Sequence, residues 1–514
     1  MSRRTFTVSV RLRASLLAPL VASLASLAVA RTAHASPVMD TAGSIGDNAG
    51  AQGVVSGPGP ASTYFNPALL VDADETALVS LAMISEQLGV TLDGRRGGDV
   101  PLVVGGRDIL GPGLAPIPND VVPTPWLRDG CPPGTQAGTC PPPGFGARPR
   151  QAQGTSGKTR TYLALGFVKH LIQDRFSVGA YAMLPLSSFT TANGFYADER
   201  EALFSNSLHP ALYGDRLTAI SLAVGAAFKL LPELSIGIGF SLLLANAASS
   251  STYVRDTTNY DTLLLDNSVT THVDVSPMAG VRWTPVRWLR IGGTIHSPES
   301  FTIDTTITSA LPSGTESGAS RHEVYDWMPW RISFGAEGDV IQQGRYTMSI
   351  TGSVQYALWS AYQDRHGQLP TVYGGDLAWK DTMRGALGVR HKYGPVRGFI
   401  DLAYAPSPVP DQIGQSNYVD NDRVGILAGA DFDLHLGRTH IRPGFQLMAN
   451  RLVPRHVAKD DKRIRDELPD GSILGATRDP VPGASGLQTN NPGWPGFGSE
   501  GWLLGGAFTL SIPL

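Results

Sequence analysis

The sequence predicts an all-β protein: a transmembrane, antiparallel, up-and-down β-barrel of about fourteen strands with an N-terminal plug in its lumen. Three observations predict it: an export signal, short segments of alternating apolar and polar residues, and connections that alternate in length. The 514-residue chain has 59 glycines and only 17% charged residues. Its mean hydropathy is −0.04. A barrel has this composition because its apolar residues are spread over alternating strands.

The first 35 residues are predicted to be a secretory signal peptide. A basic front and the apolar run 16–30 precede a small-residue cleavage site, Ala33-His34-Ala35. We expect the mature chain to begin near Ser36. The alternative is an N-terminal membrane anchor, but the apolar run is short for a spanning helix.

Period-two alternation is the main sign of strands. In segment 233–245, Ile236, Ile238 and Phe240 share one face and Ser235 and Gly237 share the other. Apolar residues that face lipid and polar residues that face a lumen alternate in this way. Fourteen strands are predicted near 75–88, 160–170, 174–184, 217–230, 233–246, 271–284, 287–297, 330–340, 344–357, 382–391, 396–405, 423–434, 438–450 and 501–513.

The connections between these strands alternate between turns of a few residues and long loops. We expect the turns to be periplasmic and the loops to be extracellular, as in outer-membrane barrels. A soluble β-sandwich gives no reason for this alternation, and a propeller would show a repeat of roughly 40 to 50 residues, which the sequence lacks. The long loops are predicted near 89–159, 185–216, 247–270, 298–329, 358–381, 406–422 and 451–500.

Several tryptophans lie near predicted strand ends. Aromatic rings collect at the headgroup level of membranes, which is where we expect these residues to lie, although packing in a core is the alternative for any one of them. The residues are Trp283, Trp288, Trp327, Trp330, Trp359 and Trp379.

Residues 36–74 do not fit the strand pattern. The segment is small, Gly-rich and apolar, and it precedes the first strand. It has too many apolar residues for a disordered tail and is too short for a separate domain. We therefore divide the chain into a signal peptide (1–35), a luminal hatch (36–74) and a barrel (75–514).

The segment ASTYFNPALL (61–70) resembles the N-terminal hatch of the FadL-type outer-membrane transporters of long-chain fatty acids, toluene and other hydrophobic compounds. Their hatch carries an Asn-Pro-Ala motif, here Asn66-Pro67-Ala68. The resemblance extends over nearly the whole mature chain, in the blocks 196–240, 289–304, 353–362, 379–394, 402–412 and 490–512. Among them are Tyr356-x-x-Trp359-Ser360 and Trp379-x-Asp381-Thr382.

The resemblance implies an outer-membrane protein of a Gram-negative bacterium that takes up hydrophobic compounds, above all long-chain fatty acids, by passive ligand-gated diffusion with release sideways into the bilayer. Aromatic hydrocarbons are the alternative substrates within the family. The resemblance implies no cofactor, a monomer, and contact with outer-membrane lipids and lipopolysaccharide. It also gives Asn66, Pro67 and Ala68 a gating role; a plain Asn-Pro turn is the alternative. A lateral gap is expected near 174–195.

Three lumen-facing arginines are candidate ligands for a carboxylate: Arg216, Arg390 and Arg442. The alternative is that each is a wall charge paired with a luminal Asp or Glu. Cys131 and Cys140 are expected to form a disulfide in the Pro/Gly-rich loop of the exported protein. Two thiols without a nearby His are too few for a metal site.

Other functional classes fit the sequence less well. A net charge of −3 gives no electrostatic case for nucleic acid. We do not expect an enzyme, because the chain lacks a Gly-x-Ser-x-Gly elbow and a His-Glu-x-x-His motif. An open porin would need no apolar hatch. A lipid-hydrolysing barrel and a porin remain the rival classes.

Overall fold

A computed structural model describes the barrel, the segment before it and parts of the loops. The described residues are 37–93, 103–104, 107–108, 121–124, 146–149, 152–154, 158–186, 220–244, 249–255, 262–272, 275–310, 316–363, 367, 369, 378–414, 416–437, 439–460, 463 and 496–514.

Fourteen strands form the barrel, as the alternation predicts. They are β1 (Thr76–Leu92), β2 (Lys158–Ile172), β3 (Phe176–Pro185), β4 (Ile220–Leu231), β5 (Leu234–Leu244), β6 (Val275–Val286), β7 (Leu289–His296), β8 (Arg331–Gln343), β9 (Tyr346–Ala357), β10 (Thr382–Tyr393), β11 (Val396–Ala405), β12 (Arg423–Phe432), β13 (Thr439–Ala458) and β14 (Gly496–Pro513).

The ring is closed. Each strand pairs antiparallel with its neighbours in sequence, and β14 pairs with β1 from Thr76↔Pro513 to Leu92↔Phe497. Tight turns join β2 to β3, β4 to β5, and so on to β12 and β13, and the first and last strand ends lie at that same rim. We call this rim the turn end and the opposite rim the loop end. Closure leaves no unpaired edge, as lipid requires.

The two faces of the wall differ as the alternation predicts. On β5, Ile238 is 62% exposed, whereas Ser235 and Ser241 are 3% and 1% exposed. On β14, Phe508 is 78% exposed and its neighbour Ala507 is buried. The outward residues form an apolar band and the inward residues are small or polar, which suits a wall between lipid and a lumen.

Two features of the loop end were not predicted. The strands β1, β13 and β14 run several residues further toward the loops than the alternation indicates. Parts of two loops also form a four-stranded antiparallel sheet of the strands Ser249–Arg255, Thr262–His272, Glu299–Ala310 and Glu316–Met328. These segments had been interpreted as loops because they lie between longer alternating runs.

The interface interpretation of the tryptophans is correct at the turn end and wrong for three residues at the loop end. Trp283 and Trp288 flank a turn and are 48% and 55% exposed. Trp327, Trp359 and Trp379 are buried and pack with Tyr362 and Tyr418. Stacking among the loop bases outweighs their position at strand ends, since each large ring removes more apolar area from water there.

The segment before β1, residues 37–74, is the N-terminal segment. It contains α1 (Pro37–Ala42), the single helical turn α2 (Ser62–Phe65) and a 3₁₀ helix (Pro67–Asp72). Its contacts reach the inward side chains of strands all round the ring, from Leu78 on β1 to Gln446 on β13. A chain that touches a closed ring on all sides fills its bore.

Candidate functional site: the N-terminal segment and the cavity beside it

Asn66 joins two short helices and ties them to the wall. Its backbone N–H ends α2 by donating to the Ser62 carbonyl, and its side-chain oxygen accepts the Ala68 N–H at 3.1 Å. Its Nδ2 donates to the carbonyls of Val54 (2.7 Å) and Val281 (3.2 Å). Pro67 follows at the first position of the 3₁₀ helix, where its missing N–H costs nothing. Asn66 is fully buried, so the motif occupies a packed corner.

Glycines line the wall where the second half of the N-terminal segment lies against it. A Cβ at Gly166 would come within 2.7 Å of Pro60, and one at Gly237 would run into the backbone at Pro67 and Ala68. Without side chains the wall is a smooth seat for the segment's backbone. The seven inward glycines, one on each strand from β2 to β8, are Gly166, Gly179, Gly225, Gly237, Gly280, Gly292 and Gly335.

The first half of the N-terminal segment is held differently, by hydrogen bonds to polar wall residues. Gln446 of β13 donates to the Ala42 carbonyl at 2.8 Å, and the Ala51 N–H donates to Asp401 of β11 at 2.8 Å. Arg390 bonds both the Ala49 carbonyl and Asp401. The bonds that involve Asp401 and Arg390 are charge-assisted, which makes them stronger than neutral ones. This half of the segment is therefore fixed to β8–β13.

A cavity of about 110 Å³ lies between the N-terminal segment and strands β7 to β13. Val54, Tyr64 and Phe65 of the segment form one side of it. A second cavity of about 60 Å³ adjoins it toward the loop end and is lined by apolar residues such as Met328 and Trp359. The two cavities share part of their lining, so they lie next to each other, one toward the loops and one against the segment.

Three arginines and one carboxylate stand where the cavities meet: Arg331, Arg384, Arg423 and Asp40. Both Arg331 and Arg384 donate to Asp40, the latter at 3.1 Å. Burial by itself raises the pKa of the Asp40 carboxyl, but the two guanidinium groups outweigh burial and hold that pKa below its ordinary value. Asp40 is thus a carboxylate, and positive charge is in excess at this junction.

The three arginines differ in how much of their bonding capacity is used. Arg331 is 1% exposed and also donates to the Tyr64 hydroxyl at 3.0 Å. The side chain of Arg384 is 36% exposed and makes one ion pair. Among the described residues Arg423 makes no ion pair. Arg384 and Arg423 therefore retain donors that face the cavity.

Asp47 braces the two halves of the N-terminal segment. Its carboxyl accepts the Ser62 N–H at 3.2 Å, and Gly59 packs directly against it. Burial raises the pKa of Asp47 to about 8, although backbone N–H donors at Ala61 and Ser62 oppose the rise. The carboxyl is therefore largely neutral at pH 7 while the segment is seated.

At the bases of two loops, an Asp carboxylate accepts hydrogen bonds from a Tyr hydroxyl and a Ser N–H. The Tyr356 hydroxyl and the Ser360 N–H donate to Asp381 at 2.9 and 2.8 Å. One hairpin further on, the Tyr404 hydroxyl and the Ser407 N–H donate to Asp422 at 2.7 and 2.8 Å. The two sequence motifs Tyr-x-x-Trp-Ser and Trp-x-Asp-Thr thus bind each other and hold the loop bases at the rim.

The sequence candidates for a carboxylate ligand lie in ion pairs away from the cavity. Arg390 makes two bonds to Asp401, at 2.6 and 3.0 Å. Arg442 pairs with Asp433 at 2.7 Å and Asp74 at 3.1 Å. Both match the alternative of a paired wall charge. Arg216, Cys131, Cys140 and the predicted signal peptide lie outside the described residues, as does most of the loop 89–159.

Sequence reasoning missed Asp40 and the three arginines beside it. The signal that could have found them is positional. Arg331 and Arg423 are the first residues of β8 and β12, and Arg384 is the third residue of β10. Basic residues at the loop end of alternate strands converge on one side of the bore.

Within the described parts of the chain, no three His, Cys, Asp or Glu side chains are grouped so that they could hold a metal ion. Nor does any helix of those parts combine the length and the apolar character needed to span a bilayer.

A closed wall with an apolar outside, a bore filled by the chain's own N-terminal segment and a side cavity together define a plugged outer-membrane β-barrel. The chain belongs to the outer membrane protein transport protein family (OMPP1/FadL/TodX), whose model matches residues 24–469. As that membership implies, it is an outer-membrane protein of a Gram-negative bacterium. No curated protein sequence matches it.

One solved structure shows the same fold at low sequence identity, and two others are similar to this chain. A FadL homologue of Pseudomonas aeruginosa is 15% identical, with a TM-score of 0.50, over 94% of this chain and 98% of that chain. The toluene transporter TodX of P. putida is 11% identical, with a TM-score of 0.45, over 90% and 97% of the two chains. The toluene transporter TbuX of Ralstonia pickettii is 12% identical, with a TM-score of 0.43, over 94% and 98%.

Proposed function

We propose that this protein takes up amphipathic anions with long apolar tails, such as long-chain fatty acids, by passive diffusion gated by the N-terminal segment. The observation that carries the proposal is the excess of guanidinium groups at the junction of the two cavities. The shared lining contains three arginines and one carboxylate, and the cavity toward the loop end adds apolar residues such as Met328 and Trp359.

A fatty acid suits this lining better than a neutral hydrocarbon does. Its carboxylate can accept a bidentate pair of bonds from Arg384, whose guanidinium is only partly used by Asp40. Its tail gains about 0.8 kcal/mol for each CH₂ removed from water. An aromatic hydrocarbon would leave the partly buried guanidinium groups without any new partner, which is unfavourable.

In this proposal the loops capture the ligand, the cavity binds it, and the N-terminal segment moves to let it pass. The tail then makes lipid the natural destination, so we propose sideways release into the bilayer. The third strand, where we expected the gap, is paired with β2 and β4 along most of its length. Release there would require that ladder to open first.

Arg384→Met tests the substrate class, since it removes the charge and keeps an apolar stem. Arg451→Met is the matched control: its side chain is also 36% exposed and makes one ion pair, on the outer side of the ring with Glu500. Losing a hydrogen bond to a charged group costs about 1.5–3 kcal/mol, so we expect fatty acid binding to weaken about tenfold to a hundredfold.

Binding and uptake are measured in proteoliposomes with a labelled fatty acid, the corresponding fatty alcohol and toluene. We expect Arg384→Met to lower only the fatty acid signal and Arg451→Met to change none. Equal loss for acid and alcohol would refute carboxylate recognition. Uptake of toluene without fatty acid uptake would favour the aromatic alternative, and large steady ion currents through the native protein would favour a porin.

A further inference from the structure

The N-terminal segment is fastened at its two ends. Between them its polar ties go mainly to its own first half and to β8: the Ser62 N–H donates to Asp47, Asn66 donates to Val54, and the Tyr64 hydroxyl accepts from Arg331. Ser56 donates to Glu337 of β8, and it lies 3.5 Å from the hydroxyl of Thr351 on β9. At the other end Asp72 pairs with Lys229 at 2.7 Å and with Arg282. The stretch 57–70 between these anchors is what we call the strap.

The strap has one hydrogen bond to the glycine-lined strands β2 to β7 within the described residues, from Asn66 to the Val281 carbonyl. Elsewhere it rests on glycines and on buried apolar and aromatic side chains of these strands, such as Tyr181 and Met278. Thr63 shows how little polar complementarity there is: it is fully buried against Gly179, and its hydroxyl has no hydrogen-bond partner. Leaving a buried hydroxyl unpaired is unfavourable, so separation from the wall is favoured at this point.

The strap begins Gly57-Pro58-Gly59-Pro60, in which Gly57 has a φ of +63° and Pro58 is exposed. On the side away from the glycines, Tyr64 and Phe65 form part of the lining of the 110 Å³ cavity. The cavity therefore lies on the side toward which the strap would move.

We propose that the N-terminal segment opens by lifting the strap from the glycine-lined wall toward the cavity, while residues 37–56 stay bound to β8–β13. The route from the cavity to the wall strands β2 to β7, among them β3, then runs along the glycine face. This inference rests on the proposed function for its purpose, because it places the transport path. It differs from a movement of the whole segment as one rigid body.

Two disulfide locks, built with Cys131 and Cys140 replaced by Ser, test the route. Thr63→Cys with Gly225→Cys fastens the strap to the wall: a Cβ at Gly225 lies 3.4 Å from the Thr63 methyl and meets no backbone atom closer than 3.2 Å. Ser56→Cys with Thr351→Cys is the matched control, because it joins two hydroxyl positions 3.5 Å apart in the fixed part.

We expect the oxidised strap lock to abolish uptake of labelled fatty acid, reductant to restore it, and the control lock to leave uptake unchanged. Full uptake through the oxidised strap lock would overturn the proposal. Equal block by both locks would also overturn it, since that result means that the whole segment moves.

A second measurement does not depend on transport. Thr63→Cys and Ser44→Cys each replace a fully buried hydroxyl residue whose oxygen lacks a partner, the first in the strap and the second in the fixed part. We expect a water-soluble maleimide to label Thr63→Cys at least tenfold faster. Equal or reversed rates would overturn the lifting strap. If the unlocked protein transports no fatty acid but the labelling rates differ as expected, the proposed substrate fails and the strap stands.

Discussion

Replacing Asn66 by alanine removes three hydrogen bonds at once, because the side chain accepts from Ala68 and donates to Val54 and Val281. Two of these bonds, to Val54 and Val281, are broken when the strap lifts, whereas the bond from Ala68 stays within the strap. A buried hydrogen bond contributes about 0.5–1.5 kcal/mol net, so the seated state should lose about 2 kcal/mol relative to the lifted state. Since 1.4 kcal/mol is a factor of ten, the lifted population should rise by about thirtyfold.

Hydrogen exchange of the strap amides measures that population directly. We expect amides such as Leu69, which donates to the Asn66 carbonyl, to exchange about thirtyfold faster in Asn66→Ala while amides of the barrel strands stay unchanged. Planar-bilayer recordings of the same variant should show more frequent openings.

The matched control is Asn421→Ala. Asn421 is also buried and makes three hydrogen bonds, two to the carbonyls of Val453 and Ser499 and one from the Ser499 hydroxyl. It lies at the loop end against β13 and β14, so its loss should leave exchange of the strap unaltered. Strap exchange within twofold of the native rate in Asn66→Ala, or equal acceleration in both variants, would refute the reasoning.

Three further predictions concern the wall glycine Gly237, the buried carboxyl of Asp47 and the loop-end carboxylate of Asp381. Gly237→Ala should displace the strap from the wall and raise conductance, because the new Cβ would meet backbone at Pro67 and Ala68. Gly385→Ala is the control and should leave conductance unchanged, because a Cβ there meets nothing closer than 3.8 Å. Burial raises the pKa of Asp47 to about 8 in the seated state. Seating is therefore most stable below the ordinary carboxyl pKa of about 4, and it weakens as pH rises from there to about 8. Strap opening, measured by hydrogen exchange, should increase over that pH window and level off above it, and Asp47→Asn should abolish the pH dependence. Asp381→Ala removes the acceptor of the Ser360 N–H, so the Ser360 amide should lose its protection while Ser407, held by Asp422, keeps its own; equal protection in both proteins would contradict the tie.

The strands were predictable because lipid imposes one pattern on all of them. Ile238 and Phe240 face lipid and Ser235 faces the lumen. A one-residue slip in register would move the apolar side chains of a strand to the lumen face. Tight turns left little freedom in the pairing. The fourteen strands therefore followed from local sequence alone.

The site was less predictable because it depends on strands far apart in sequence. Asp40 meets Arg331 and Arg384 only after the wall has closed, and no local pattern marks that meeting. Arg390 and Arg442 looked equally suitable as ligands until Asp401 and Asp433 were found beside them. The interface prediction was wrong for the tryptophans at the loop bases for the same reason, since the residues they pack against come from other loops.

The way the N-terminal segment touches both early and late strands constrains how the protein folds. Residues 42 and 446 are joined by a hydrogen bond, and β1 pairs with β14 across most of the chain. Contacts of such sequence separation form late, after the loop-closure entropy has been overcome. The N-terminal segment must therefore wait for the last strand, with Leu69, Leu70 and its other apolar residues exposed in the interval. We expect this stretch to be the part of the chain most exposed to aggregation until the wall has closed.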